Sequence, residues 1–197
     1  MHFPHTLYFI RHGETDWNRA GRLQGQTEID LNETGRSQAK RNGEVLKDFL
    51  TADLIQTIPI VSSPMRRVQQ TLKIVLDEIG RSSDVIETDD RLKEISFGEM
   101  EGYTPAEMKA AHPALHRQRK TDKWTFTPPG GESYETFSMR VGDWLRTIET
   151  DTVVVAHGGV SRVVRAHLHD MSGPSVVELP TPQDKIMVMS GNRMDLI

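Results

Sequence analysis

The chain has 197 residues, 36% of them hydrophobic and 26% charged, values of a globular protein that hides roughly 70% of its unfolded surface. Its 24 basic and 28 acidic residues give a net charge of −4, without the basic footprint of a nucleic-acid binder. There is no cysteine, which excludes disulfides, thiolate metal sites and thiol catalysis.

The opening "MHFPHTLYFI" lacks a basic segment followed by a long apolar one, so no signal peptide is expected. No apolar run approaches the ~20 residues that span a bilayer. These features point to one cytoplasmic domain over residues 1–197, with no membrane association. Short apolar runs alternate with helical periodicity, the pattern of an α/β layer fold. "LYFI" at 7–10 is the first strand. Asn32 then caps a helix whose apolar residues Ala39, Leu46, Phe49 and Leu50 recur near helical spacing. Residues 58–61 form a second strand. Ser63 and Pro64 read as N-cap and first position of a helix carrying Met65, Val68, Leu72, Val75, Leu76 and Ile79 on one face.

Residues 85–87 read as a short strand. Thr104-Pro105-Ala106-Glu107 is a capping box opening a helix that Pro113 ends. Residues 113–131 show no clear period and read as a lid or substrate loop. Phe137, Val141, Trp144, Leu145 and Ile148 mark a long helix. "TVVVA" at 152–156 is the most apolar strand, central and buried on both faces. A helix follows from Val160 to Leu168, and 176–179, 186–189 and 194–197 read as strands, with "SGN" turning the last pair.

Three of these strands end in one kind of chemistry. The first runs into Arg11-His12-Gly13, the second into "SSPMRR", and the strand at 152–156 into His157-Gly158-Gly159. In open α/β sheets ligands sit beyond the carboxyl ends of the strands. As parallel neighbours, these three bring two histidines and two or three arginines to one crevice. Guanidinium forks suit phosphate oxygens, and a helix N-terminus adds a positive dipole end. The strand-tip histidines are flanked by cations and glycines rather than carboxylates, so no metal is expected there. His112 and His116 are separated by Pro113, and His167 and His169 are two apart on a helix and face different ways.

"RHGETDWN", "SSPMRRVQQT", "LKEISFGEMEG", "PPGGES" and "VVVAHGGV", in this order over about residues 6–165, resemble the histidine phosphatase superfamily, also called phosphoglycerate mutase-like. The resemblance implies a three-layer α/β/α sandwich with a mostly parallel central sheet, and a lid or insertion at about 95–135. It implies catalysis through a phosphohistidine and no cofactor. Carried over by position, His12 matches the nucleophile, and Arg11, Arg67 (with Arg66 as its neighbour) and His157 match the phosphate clamp. Asn18 and the backbone of Gly158 match further phosphate contacts. Glu94 matches the proton donor, and Gln24 and Gly25 fall on the substrate side.

The chemistry needs such a set. Phosphomonoester hydrolysis demands up to ~10²¹-fold acceleration, whereas one aimed donor supplies roughly 3–4 kcal/mol and one general acid ~10²–10⁴-fold. His12 must be neutral to attack, with its other nitrogen donating to a backbone carbonyl. Glu94 must hold a proton when the leaving group departs.

The leading expectation is a metal-independent phosphatase acting on a small phosphorylated metabolite. Family mutases carry a tyrosine and a lysine in the block after the acid, where this chain has Phe97 and Pro105. A mutase remains the first alternative and a non-catalytic phosphate-binding module the second. Relatives are often dimers, and the sequence leaves a homodimer open. Arg117, Arg119, Lys120 and Lys123 form a basic cluster that either recognises an acidic substrate or is a solvated face. Trp124 and Phe126 either line the pocket or anchor the loop.

Overall fold

The computed structural model describes residues 3–82 and 86–197. Strand β1 (Thr6–Arg11) is followed by a one-turn helix α1 (Asp16–Arg19), α2 (Glu33–Phe49) and α3 (Ala52–Thr57). Then come β2 (Ile60–Ser62), α4 (Arg66–Ile79) and β3 (Glu87–Thr88). Helices α5 (Pro105–Ala111), α6 (Pro113–Thr121) and α7 (Tyr134–Leu145) precede β4 (Thr152–Ala156). Helices α8 (Gly158–Leu168) and α9 (Pro174–Val177) lead to the hairpin of β5 (Met187–Ser190) and β6 (Arg193–Leu196).

The sheet order is β3-β2-β4-β1-β5-β6. Strands β3, β2, β4 and β1 pair in parallel, and β5 runs against both β1 and β6. Period-two alternation splits the sheet's side chains between two cores. Leu7, Phe9, Val154 and Ala156 pack with Phe137, Val141, Trp144, Val160 and Val164 of α7 and α8. Tyr8, Ile10, Val153 and Val155 pack with Leu46 of α2 and with Val68, Leu72 and Val75 of α4. All five β4 residues are buried, which is why every residue after Thr152 in that strand is apolar.

Several local signals act as the sequence predicts. Asn32 caps α2 by accepting from the Gly35 N–H, and Thr104 closes a capping box with Glu107. Others differ. Met65, not Ser63, precedes α4, because the Ser63 hydroxyl is engaged elsewhere. The second strand starts at Ile60, and the preceding residues form α3, capped by Thr51. Residues 113–121 are helical: Pro113 does not only end α5 but begins α6, where its fixed φ and missing N–H cost nothing. Residues 176–179 are not a strand. Pro174 starts the short helix α9 there, and it packs on α8. Of the strand expected at 85–87, Val85 lies outside the described residues, and β3 begins at Glu87.

The turn after β1 is held between two helices. Gly13 donates to Thr71 Oγ1 of α4 at 3.1 Å. Its Cα lies so near α2 that a β-carbon on Gly13 would fall 2.1 Å from Gly35 O, and one on Gly35 would fall 2.1 Å from Glu14 O. Gly35→Ala is therefore expected to cost about 1–3 kcal/mol of stability by overpacking, read as a lower urea midpoint.

Candidate active site

Register decides what meets at the carboxyl edge. Arg11 pairs with Ala156, and Ser62 with Val155. One residue beyond the strands, His12 N donates to Ala156 O at 2.9 Å and Ser63 N to Val155 O at 3.1 Å. His12, His157 and Ser63 therefore lie side by side, all buried. The two imidazoles meet edge to face, 5.3 Å apart. His12 Nδ1 lies 2.8 Å from Gly13 O. A carbonyl only accepts, so Nδ1 carries the proton and Nε2 keeps its lone pair. His157 Nε2 is 2.9 Å from Ser63 Oγ, and its Nδ1 is buried without a partner among the described residues.

Two guanidinium groups flank the rings. Arg11 donates from Nη1 to Thr181 O (2.6 Å) and Oγ1 (3.2 Å), while its Nε is buried and unpartnered. Arg67 is fully buried and donates to Gly25 O (2.7 Å) and Thr27 O (3.0 Å). Arg66 instead points outward to Asp30 at 3.5 Å. Gln24 fits with its amide oxygen accepting from Arg67 Nε (3.0 Å) and Nη1 (3.2 Å) and its nitrogen donating to Thr15 Oγ1 (2.7 Å). The reverse orientation would set NH₂ against guanidinium donors.

Glu94 stands in the wall of the same cavity. Its carboxylate accepts from Gly159 N (3.1 Å) and Ile95 N (3.0 Å). A β-carbon on Gly159 would lie 2.2 Å from Glu94 Oε1, so the second glycine of "HGG" is what admits the carboxylate. Arg140 steadies this wall: it pairs with Glu132 at 2.9 Å and donates to the carbonyls of Arg91 and Lys93. Glu132 in turn accepts from Ser96 N.

Sequence reasoning missed the segment 179–184. Arg162 donates to Leu179 O, Arg165 to Pro180 O, Arg11 to Thr181 O, Asn42 to Gln183 O and Arg41 to Asp184 O. Gln183 Nε2 donates to His12 O (3.0 Å) and Asn18 Oδ1 (3.2 Å). Asn18 Oδ1 also accepts from Thr15 N, so both bonds use the oxygen of that amide and leave Asn18 Nδ2 uncommitted to them. No motif announces Thr181 or Gln183, because their partners lie about 170 positions away.

The electrostatics oppose a charged imidazole. Burial, then Arg67 and Arg11, hold His12 well below its ordinary value of 6.5 against the opposing Gly13 bond. Burial, Arg67, His12 and Arg11 do the same to His157. Burial lowers Arg11 to about 10, with Glu94 opposing and Arg162 and Arg67 adding to the shift. Arg11, His12, Asn18, Gln24, Gly25, Arg67 and Glu94 all line one cavity of about 340 Å³. Gly158 opens α8 beside Arg11 and His157 lies against His12, but neither lines the cavity itself. Among the described residues no group of three or more His, Asp or Glu side chains is placed to hold a metal ion, and no helix is long and apolar enough to cross a membrane.

The sequence model of the histidine phosphatase superfamily (branch 1) matches residues 7–193. The chain belongs to that superfamily. Among the superfamily's relatives, a glucosyl-3-phosphoglycerate phosphatase of Mycobacterium tuberculosis is 35% identical, over 82% of this chain and 74% of its own. A 2,3-bisphosphoglycerate-dependent phosphoglycerate mutase of Cytophaga hutchinsonii is 29% identical, over 96% and 90%. The solved structure of the mycobacterial glucosyl-3-phosphoglycerate phosphatase with VO₃ matches with a TM-score of 0.77 at 29% identity, covering 98% of both chains.

The two depressed histidines bear on stability. As pH falls below 6.5, the unfolded chain takes up protons at His12 and His157 while the folded chain does not. Stability is therefore expected to fall as pH drops below 6.5, each ring contributing up to about 1.4 kcal/mol per pH unit. Urea unfolding between pH 7.5 and 5.5 measures this, and His157→Gln should flatten the slope.

Proposed function

We propose that the chain is a phosphatase that hydrolyses small phosphomonoesters through a phosphohistidine at His12, without a metal. The observation that carries this reading is the pair of buried, unpartnered nitrogens, Arg11 Nε and His157 Nδ1, beside a neutral His12. A buried N–H left unpaired is costly. A phosphoryl oxygen at that spot gives Arg11 Nε an acceptor, and Glu94 supplies the proton to the leaving group.

In this mechanism Arg11, Arg67, His157, Asn18 and the Gly158 backbone hold the phosphoryl oxygens, where charge accumulates. Gln24 and Gly25 fix Arg67 from the substrate side. His12 Nε2 attacks phosphorus. The P–N bond forms as the P–O bond to the leaving group breaks, and Glu94 gives its proton to the departing oxygen. The imidazole then bears a positive charge, and its Nδ1–H bond to Gly13 O strengthens. Water next attacks phosphorus and yields a proton to Glu94. The P–N electron pair returns to Nε2, and inorganic phosphate leaves. The arginines supply the positive charge that a divalent cation supplies elsewhere.

Relatives named as mutases keep a second reading in view, in which the same phosphohistidine passes its group to a second substrate hydroxyl. A mutase must keep water out, and Phe97 offers no hydroxyl at the place where family mutases have a tyrosine. Isomerisation of 3-phosphoglycerate, primed with the bisphosphate and outpacing phosphate release, would favour that reading.

Phosphate release from p-nitrophenyl phosphate should persist in excess chelator and vanish in His12→Ala. Acid-quenched turnover should trap an acid-labile phosphoryl group on the peptide containing His12. Glu94→Gln should slow alkyl phosphate hydrolysis ~10²–10⁴-fold, and p-nitrophenyl phosphate much less, because nitrophenolate departs without a proton; parallel kcat measurements decide.

A further inference from the structure

Ser63 is fully buried just past the end of β2, and its main chain is tied on both sides. Its N–H donates to Val155 O at 3.1 Å, and its carbonyl accepts from Gln69 Nε2 at 2.7 Å. Gln69 spends the other hydrogen of that amide on Ser62 Oγ at 3.0 Å. The Ser63 hydroxyl is therefore held in place by the turn that carries it. One of its lone pairs accepts from Met65 N at 3.3 Å. The other group at Oγ among the described residues is His157 Nε2, at 2.9 Å.

A neutral imidazole has one N–H and one acceptor nitrogen. His157 is such a ring, because burial, and then Arg67, hold it well below 6.5. Were Nε2 the donor, the Ser63 hydroxyl hydrogen would be buried with no acceptor among the described residues, which is costly. With Ser63 Oγ donating to Nε2, both groups are satisfied and the ring proton sits on Nδ1. That nitrogen is buried and has no partner among the described residues, so one N–H is left unspent. His12 also carries its proton on Nδ1, but there an acceptor, Gly13 O, holds it. The two rings thus end with opposite offers: His12 keeps a lone pair at Nε2, and His157 keeps an N–H.

We propose that Ser63 is a positioning residue that holds His157 in its Nδ1–H tautomer by donating to Nε2, so that His157 meets a phosphoryl oxygen as a neutral donor rather than as a cation. The proposal rests on the phosphatase reading for what this N–H meets. The tautomer itself belongs to the free protein and is read without turnover. Under this arrangement the positive charge of the clamp comes from Arg11 and Arg67, and His157 adds direction rather than charge.

Long-range proton–nitrogen correlation spectra of protein labelled with nitrogen-15 histidine test it. The signals lost in His157→Gln identify this ring among the 8 histidines. In the native protein without ligand, His157 should show a protonated Nδ1 and a bare Nε2. Ser63→Ala should move the proton to Nε2 in part or in full. Its calorimetric affinity for inorganic phosphate should fall ~10-fold. Ser63→Cys, a weaker donor, should hold the proton on Nδ1 less completely than serine does; if Ser63→Ala does not fold, this variant and the native spectrum decide. A native ring protonated at Nε2, a ring that keeps its proton on Nδ1 in every folded variant, or a phosphate affinity indifferent to a changed tautomer would overturn the role. Native protein with the expected spectra and affinities but no phosphate release from p-nitrophenyl phosphate would leave Ser63 in its role and remove the phosphatase reading. Phosphate release from a protein whose His157 is protonated at Nε2 would do the reverse.

Discussion

A single main-chain bond, His12 N to Ala156 O, sets the rest of the site. It continues the β1–β4 ladder one residue past the strand, so the turn cannot flare away from its neighbour. The two imidazoles are thereby held in contact at 5.3 Å. Burial favours neutrality on both rings, and neutrality is what the nucleophilic role proposed for His12 requires. The same packing sets two arginines against those rings with carbonyls, not carboxylates, as partners. The protein thus keeps their positive charge available rather than cancelling it internally.

Much of this was legible because it is local or in register. Strand tips at 11–13, 62–67 and 157–159 could be read as converging, since apolar runs that end in polar residues mark carboxyl edges. Asn32 and Thr104 were readable as caps because their partners lie three residues on. Ser63 misled for a physical reason: its hydroxyl lies against His157 Nε2, a contact spanning 94 positions. Residues 113–121 escaped notice because α6 buries none of its residues, so it has no apolar stripe to read. The strand expected at 176–179 rested on apolar content alone, which a short helix packed on α8 satisfies equally. Gly159, Thr181, Gln183 and Arg162 could not be assigned roles from sequence, since each acts through a contact from a distant segment.

Order within the site comes from two supports of different kinds. Glu94 stands on a wall fixed by ionic contacts, Arg140 with Glu132, and by close packing against a glycine. His12 stands on the sheet and on the Gly13–Gly35 approach, where there is no side chain to adjust. The pair proposed to react, mounted this way, has little freedom to drift apart, and its geometry is set before any substrate arrives.

The segment at 179–184 is fastened largely through its carbonyl oxygens, five of them reached by side chains from other elements. Those five bonds ask nothing of the segment's own amide hydrogens. That is why two prolines, Pro180 and Pro182, sit in it without loss: a residue that cannot donate is no handicap where only acceptors are used, and its stiff ring shortens the list of shapes the ribbon must abandon when it settles. The hold on this ribbon therefore lies mainly in the arginines and the asparagine that reach it, with Thr181 and Gln183 as the ribbon's own contributions.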